Sequence, residues 1–239
     1  MKAREAGSGR REAELPAMRE AGCGTRPARG AEALSPEVVP PPASRIAHPE
    51  RIALKEWAVL VDAMARGEIM ALIRKGGIRE QRAGFSVRHP RFLLYPTYFH
   101  ERESELAPRF LPQLGASHAN RPPEGMIRIQ YVADAVAVWR VTELDRLRAI
   151  EMEHGLAWSA VESRFMYRNT PGVHVVAVHV ARLARDIEIP EARRYGGCVS
   201  WVALDGEIDV SDTMAVVPPE LFEQRLAYLC AVLGEPLAS

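Results

Sequence analysis

Apolar side chains enter this 239-residue chain abruptly at Ile52, and that boundary limits what the chain can fold into. From Met1 to about Pro49 the residues are mainly Arg, Glu, Ala, Gly and Pro, with no Phe, Trp or Tyr, and the stretch includes Val39-Pro40-Pro41-Pro42. Such a segment buries too little apolar surface to offset its conformational entropy. Residues 1–49 are therefore expected to form a disordered N-terminal extension, and residues 50–239 a single α+β domain. The extension carries eight basic and seven acidic residues, counted through Glu50. Transit peptides are poor in acids and signal peptides need an apolar stretch, so neither pattern is matched here.

Charge and cysteine content narrow the function classes. Lys and Arg number 31 against 31 Asp and Glu, which argues against binding nucleic acid or acidic membranes through overall charge. Cys23, Cys198 and Cys230 are odd in number and far apart, so no disulfide framework or Cys-based zinc module is expected and a reducing cytoplasm is the expected location. No apolar run approaches the roughly 20 residues that span a bilayer.

Within the folded part, the apolar runs 57–64 and 69–74 flank Ala65-Arg66-Gly67-Glu68, which reads as a β-hairpin with Gly67 in the left-handed position. In that register Glu56 lies diagonally across from Arg74 and Lys75 lies opposite Trp57, an arrangement suited to an ion pair and a cation–π contact. Phe92 to Tyr95 reads as a strand that Pro96 ends or confines to an edge. Short helical turns are expected from Ser104 to Leu114, then a Pro-rich loop at 120–125 and a strand from Ile127 to Val141. Thr142 to Asp145 resembles an N-cap leading into a helix stopped by Gly155. A helix over 159–167, strands over 172–183 and 198–204, and a closing helix from Pro219 to Leu233 complete the pattern. The expected fold class is α+β: a mixed, largely antiparallel sheet built around a central hairpin, with flanking helices and the disordered tail.

Net neutrality conceals an uneven layout. Residues 74–102 hold seven basic and two acidic side chains, whereas residues 103–239 hold thirteen basic and nineteen acidic. The basic stretch contains Gly76 and Gly77, and glycines beside Arg and Lys let backbone amides and cationic heads converge on a phosphate or carboxylate. Lys55, Glu56, Arg74, Lys75, Gly76, Gly77, Arg79 and His100 are thus candidate ligand-binding residues, with His100 the best single acid–base group. No Walker loop, G-x-G-x-x-G, His-Glu-x-x-His or Gly-x-Ser-x-Gly is present, so no metal, cofactor or catalytic set is assigned. His174 and His179 differ by an odd number and would point to opposite faces of one strand.

Several phrases occur together and in order: Ala53-Leu54-Lys55-Glu56-Trp57, Arg74-Lys75-Gly76-Gly77-Ile78, Phe92-Leu93-Leu94-Tyr95-Pro96-Thr97-Tyr98, Arg164-Phe165 and Tyr195-Gly196-Gly197-Cys198-Val199-Ser200-Trp201. This set resembles an uncharacterised bacterial family catalogued as domain of unknown function 1802, over roughly residues 52–235. The resemblance adds Arg164, Tyr195 and Trp201 to the candidate residues. It also implies a restriction-associated, DNA-linked setting, although no Pro-Asp followed by Glu-x-Lys marks a nuclease in this chain. Leu72-Ile73-Arg74-Lys75-Gly76-Gly77 looks like the opening of a Nudix hydrolase, but the Glu-rich metal signature is missing. The sequence therefore points to a cytoplasmic, anion-binding accessory domain. Its expected partner is nucleic acid or a phosphorylated small molecule, held through residues 74–102. The alternative is a Nudix-like or other small-molecule hydrolase lacking the usual metal signature.

Overall fold

A computed structural model describes residues 51–75, 89–99, 101–197, 199–206 and 208–237. The N-terminal extension, Gly76, Gly77, Arg79, His100 and Cys198 lie outside the described residues.

The first departure from the sequence pattern is decisive for the topology. Ile52–Trp57 is a strand, β1, but Ala58–Ala65 is a helix, α1, so the expected hairpin over 57–74 does not exist. An uninterrupted apolar run fits a buried strand and a buried helix equally well. Here the helix is apolar over most of its surface because most of it is covered: Val59, Leu60, Val61 and Met64 are 3% exposed or less, and the charged Asp62 is the half-buried exception. Gly67 does adopt the left-handed conformation, with φ of 69°, but as a helix terminator. The Gly67 N–H donates to Met64 O at 2.9 Å and the Glu68 N–H to Ala63 O at 3.0 Å, the two bonds of a Schellman motif. At the other end, the Glu101 carboxylate caps α1 from outside by accepting the Val59 N–H at 3.2 Å.

The remaining elements are β2 (Ala71–Arg74), β3 (Arg91–Thr97), α2 (Leu111–Ala119), β4 (Met126–Val141), α3 (Leu144–Ala149), α4 (Trp158–Phe165), β5 (Val173–Pro190), β6 (Trp201–Ala203), β7 (Thr213–Ala215) and α5 (Pro219–Leu233). Among the described residues the strands form one mixed sheet in the order β2-β5-β4-β3-β1-β6, with β7 also on β5. All pairs are antiparallel except β1–β3, so the fold is α+β with a largely antiparallel sheet and flanking helices. Its central antiparallel pair is β4–β5. Register shifts between Ile129 and Tyr131 and between Ala135 and Ala137 interrupt that pair, and such irregularities bend and twist a ladder.

Pro96 does not end β3, which runs on to Thr97. The β4 ladder stops at Leu93 while the β1 ladder continues to Thr97, so Pro96 sits where β3 is paired on one side only. Thr142 provides no side-chain cap for α3, which ends at Ala149, well before Gly155. The role of Gly155 is packing: a Cβ there would collide with Leu60 Cδ2 of α1. The closing helix has the expected bounds, Pro219–Leu233, followed by Gly234 at φ 87°. Its last carbonyls are received by the rest of the chain. Arg146 donates to Leu233 O at 2.8 Å, and Trp139 Nε1 to Gly234 O at 2.8 Å. Arg225 on the same helix is locked into Glu153 at 2.5 Å and Gly67 O at 2.6 Å.

Both sheet faces are covered. One core gathers Leu54, Phe92, Leu94 and Trp139 with helices α1, α3, α4 and α5. The other gathers Ala53, Leu93, Tyr95, Ile129, Tyr195 and Val202.

Two consequences are testable by urea denaturation. Gly155→Ala should lower stability by about 1–3 kcal/mol through overpacking against Leu60. Gly115→Ala should raise it by about 0.5–1 kcal/mol, since a Cβ in that position of α2 meets open space. His154 gives a pH effect. It is 1% exposed, and its Nδ1 accepts the Leu156 N–H. Burial, reinforced by Arg109, pushes its pKa from an ordinary 6.5 down to about 4. Between those values the unfolded chain binds the proton and the native state does not. Stability should therefore fall by up to about 1.4 kcal/mol per pH unit as pH drops through that window. Comparing wild type with His154→Gln at pH 7 and pH 5 should show a flatter pH dependence in the variant.

Candidate functional site

β1 carries chemistry on both of its faces near its C-terminal end. Ala53 belongs to one core and Leu54 to the other, so the alternation of the strand sends Lys55 and Glu56 to opposite sides.

On the Leu54 side, Arg74 Nη2 donates to Glu56 Oε2 at 2.7 Å and to Lys55 O at 3.0 Å. The two side chains are 16% and 10% exposed. The pair expected from the hairpin register therefore exists, but β1 and β2 are separated in the sheet by three strands and meet because the sheet curls. Arg164 of α4 closes the cluster. It donates to Ile73 O at 3.2 Å, approaches Glu105 at 3.9 Å and lies 5.7 Å from the Trp57 ring centre. Burial lowers the Arg164 pKa from its ordinary value, and Glu56 pulls it the other way.

Lys75 does not cover Trp57; Arg164 takes that place. The Lys75 ammonium donates to the carbonyls of Phe165 at 2.9 Å, Gly172 at 2.6 Å and Thr170. It thus closes the C-terminal end of α4 and the turn containing Arg168 and Asn169, both at positive φ. Burial, followed by the nearby Arg140, lowers the Lys75 pKa. The two candidate ligand-binding residues Glu56 and Lys75 do not share a site: Glu56 is held by Arg74 and Lys75 by three carbonyls.

On the Ala53 side lies a cavity of about 410 Å³. Its aromatic lining comes from Trp57, Tyr95, Tyr98 and Phe99, its cations are Lys55, Arg121 and Arg128, and Glu191 supplies a carboxylate. Lys55 donates to Tyr195 O and to Gly197 O at 3.3 Å, with its ammonium 5.6 Å from the Tyr95 ring centre. Arg128 donates to Glu188 at 2.8 Å and to Asn120 O at 3.1 Å. Arg121 differs. Its guanidinium lies 5.3 Å from the Tyr98 ring centre and 5.0 Å from that of Phe99, and Phe99 is 62% exposed. Among the described residues Arg121 has no carboxylate within ion-pair distance. Burial raises the phenol pKa of both Tyr95 and Tyr98, so both stay protonated donors.

Tyr195 lies beneath this cavity, fully buried. Its hydroxyl donates to Asp205 Oδ2 and accepts the Asp205 N–H, both at 2.8 Å. Trp201 packs edge-on against Phe92 and His89, at 5.1 and 5.5 Å between ring centres, on the opposite face of the sheet. Among the described residues no three His, Cys, Asp or Glu side chains gather as a metal site. No helix of the described residues is long and apolar enough to cross a membrane.

A family model described as Domain of unknown function (DUF1802) matches residues 53–228. The chain belongs to this family. Within this DUF1802 domain, the phrase running from Lys55 to Trp57 contributes to both the ion cluster and the cavity. No curated protein matches the chain. Among solved structures, the ASCH protein from Zymomonas mobilis is 13% identical, with 76% of this chain and 96% of that chain covered and a TM-score of 0.37. A point mutant of the same protein gives 13% identity, 76% and 98% coverage and a TM-score of 0.36.

The cavity residues Tyr98, Phe99, Arg121, Arg128 and Glu191 were not among the residues singled out by the sequence. The available signal was an Arg beside two prolines in the 120–125 loop, which reads as turn chemistry. Lys75→Met should lower stability by about 0.5–1.5 kcal/mol, because two part-buried carbonyls and one exposed carbonyl lose their donor. A shift of the urea midpoint would register it; an unchanged midpoint would mean the three contacts contribute nothing.

Proposed function

We propose that this DUF1802 domain is a nucleic-acid-binding accessory module. In this proposal bases stack at the mouth of the cavity, and phosphates are met by Arg121 and by the basic stretch over residues 74–102 apart from Arg74 and Lys75, which other groups already hold. The observation that carries the proposal is Arg121 lying over an exposed Phe99 at a cavity edge, with no carboxylate holding it among the described residues. A solvent-facing aromatic ring beside a guanidinium offers one surface to a base and one charge to a phosphate. The other two cavity cations already serve carbonyls and Glu188, which leaves Arg121 as the side chain able to exchange its contacts for a ligand.

A small-molecule hydrolase, the alternative raised by the Nudix-like opening, draws support from the same cavity, whose volume is in the range of small-ligand pockets. Turnover of a nucleoside phosphate by the purified chain would favour that alternative.

Binding of labelled single- and double-stranded RNA and DNA should be salt-sensitive in wild type, since phosphate contacts release counterions. The Phe99→Ala/Arg121→Ala double variant should bind at least about tenfold more weakly, given roughly 1–3 kcal/mol for one stacked base. Arg79→Ala/Arg82→Ala should weaken binding and flatten the salt dependence. Absence of binding at low salt would overturn the proposal.

A further inference from the structure

Glu191 is the one carboxylate among the described residues that line a cavity otherwise supplied with cations. It is held in place without being neutralised. Its N–H donates to Gly125 O at 2.7 Å, and the Tyr95 hydroxyl donates to its Oε1 at 3.0 Å. Among the described residues no Lys, Arg or His lies within ion-pair distance of it. A carboxylate is an acceptor only, with room for several hydrogen bonds across its two oxygens. It repels a phosphate, so in a bound nucleotide it faces the base while Arg121 faces the phosphate.

The base edges then separate on donor pattern. Adenine and cytosine each place one exocyclic amine beside a ring acceptor, and uracil offers a single N3–H between two carbonyl oxygens. Guanine alone presents two adjacent donors, N1–H and N2–H, which match the two oxygens of a carboxylate. We propose that Glu191 makes this cavity a guanine subsite, with the base between the aromatic walls and its N1–H and N2–H donated to the carboxylate. This rests on the nucleic-acid reading above and adds the identity of the base. Tyr95 acts as a positioning residue, since its hydroxyl fixes the rotamer of Glu191.

The test is competition in a fluorescence-anisotropy assay. The competitors are oligouridylates of about eight nucleotides with one central guanosine, inosine or adenosine, their DNA counterparts, and free GMP. Inosine differs from guanosine only by lacking the 2-amino group. Wild type should prefer the guanosine strand over the inosine and adenosine strands by about tenfold, the usual order for one bidentate contact. Glu191→Gln, a substitution at an exposed position, should bring the three within about twofold while salt-sensitive binding persists. Tyr95→Phe should reduce the guanosine-to-inosine ratio more than the overall affinity. Competition by free GMP at similar concentrations would assign a mononucleotide ligand, and competition by strands alone a guanine within a chain; either supports the guanine subsite. Equal binding of guanosine and inosine strands by wild type would overturn it and leave nucleic-acid binding standing. Failure of every strand to bind would remove both.

Discussion

Arg74 joins two strands that share no backbone hydrogen bond, and most of the architecture depends on their meeting. β2 sits at one end of the sheet and β1 next to the other end, yet Arg74 reaches both Glu56 and the Lys55 carbonyl. That contact requires the β4–β5 pair to bend, which its two register shifts allow. The pair itself is weak evidence for stability, because desolvating two charges can cancel their attraction. Its consequence is geometric. Once Arg74 and Glu56 are nearly buried, any register of β2 that left one of them without the other would strand a charge. The curl also brings α4 against the end of β2, where Arg164 and Lys75 hold it through backbone carbonyls. Glu56 faces this junction and Lys55 the cavity, so the same strand end closes the sheet and supplies one wall of the site.

Much of the fold was legible in the sequence wherever a long element carried its own punctuation. Pro219 at the start and Gly234 just past the end delimit α5, and the alternation of Ile127 and Ile129 with Arg128 and Gln130 marks the start of β4. The register shift then sends Tyr131 to the other face and Val132 to that of Ile127 and Ile129. The conformation of Gly67 was legible too, but its context was not. A left-handed glycine ends helices and turns hairpins alike, and the run before it is apolar without a period. Burial of most of α1, with Asp62 and Ala65 the half-buried exceptions, blurred the 3.6-residue signal that separates the two cases. β7, three residues long and mostly exposed, has too little pattern to be read at all. The pairing of Glu56 with Arg74 was inferred through a hairpin that does not form; the same two residues meet by closure of the sheet.

The cavity was not legible for a different reason. Its walls come from β1, the end of β3, the 121–128 segment and residues 191–197. No two of these are joined by a short local motif, and Lys55 meets Gly197 across 142 positions of sequence. Each segment alone has an ordinary explanation: Pro122 and Pro123 as a turn, Gly196 and Gly197 as a loop, Pro96 as a strand end. Only the register of β1 against β3, which sets Lys55 beside Tyr95 and Trp57 beside Thr97, brings them to one opening.

Availability of a cation is a matter of what already holds it. Density of charge along the chain draws attention to Lys75, which lies in the most basic stretch, yet its three hydrogen-bond donors meet three carbonyls. Arg164 and Arg74 are likewise committed to carboxylates and backbone oxygens. Arg121 sits in a stretch whose net charge is negative, and among the described residues its guanidinium is held by the faces of Tyr98 and Phe99 with no carboxylate beside it. A ring face binds a guanidinium at a solvated edge with roughly 0.5–1 kcal/mol, little enough for a phosphate and a base to replace. Those committed, partly buried cations would have to surrender hydrogen bonds and ion pairs before touching any ligand. A ligand that needs positive charge therefore meets Arg121 first, and the aromatic surface beside it selects for something flat.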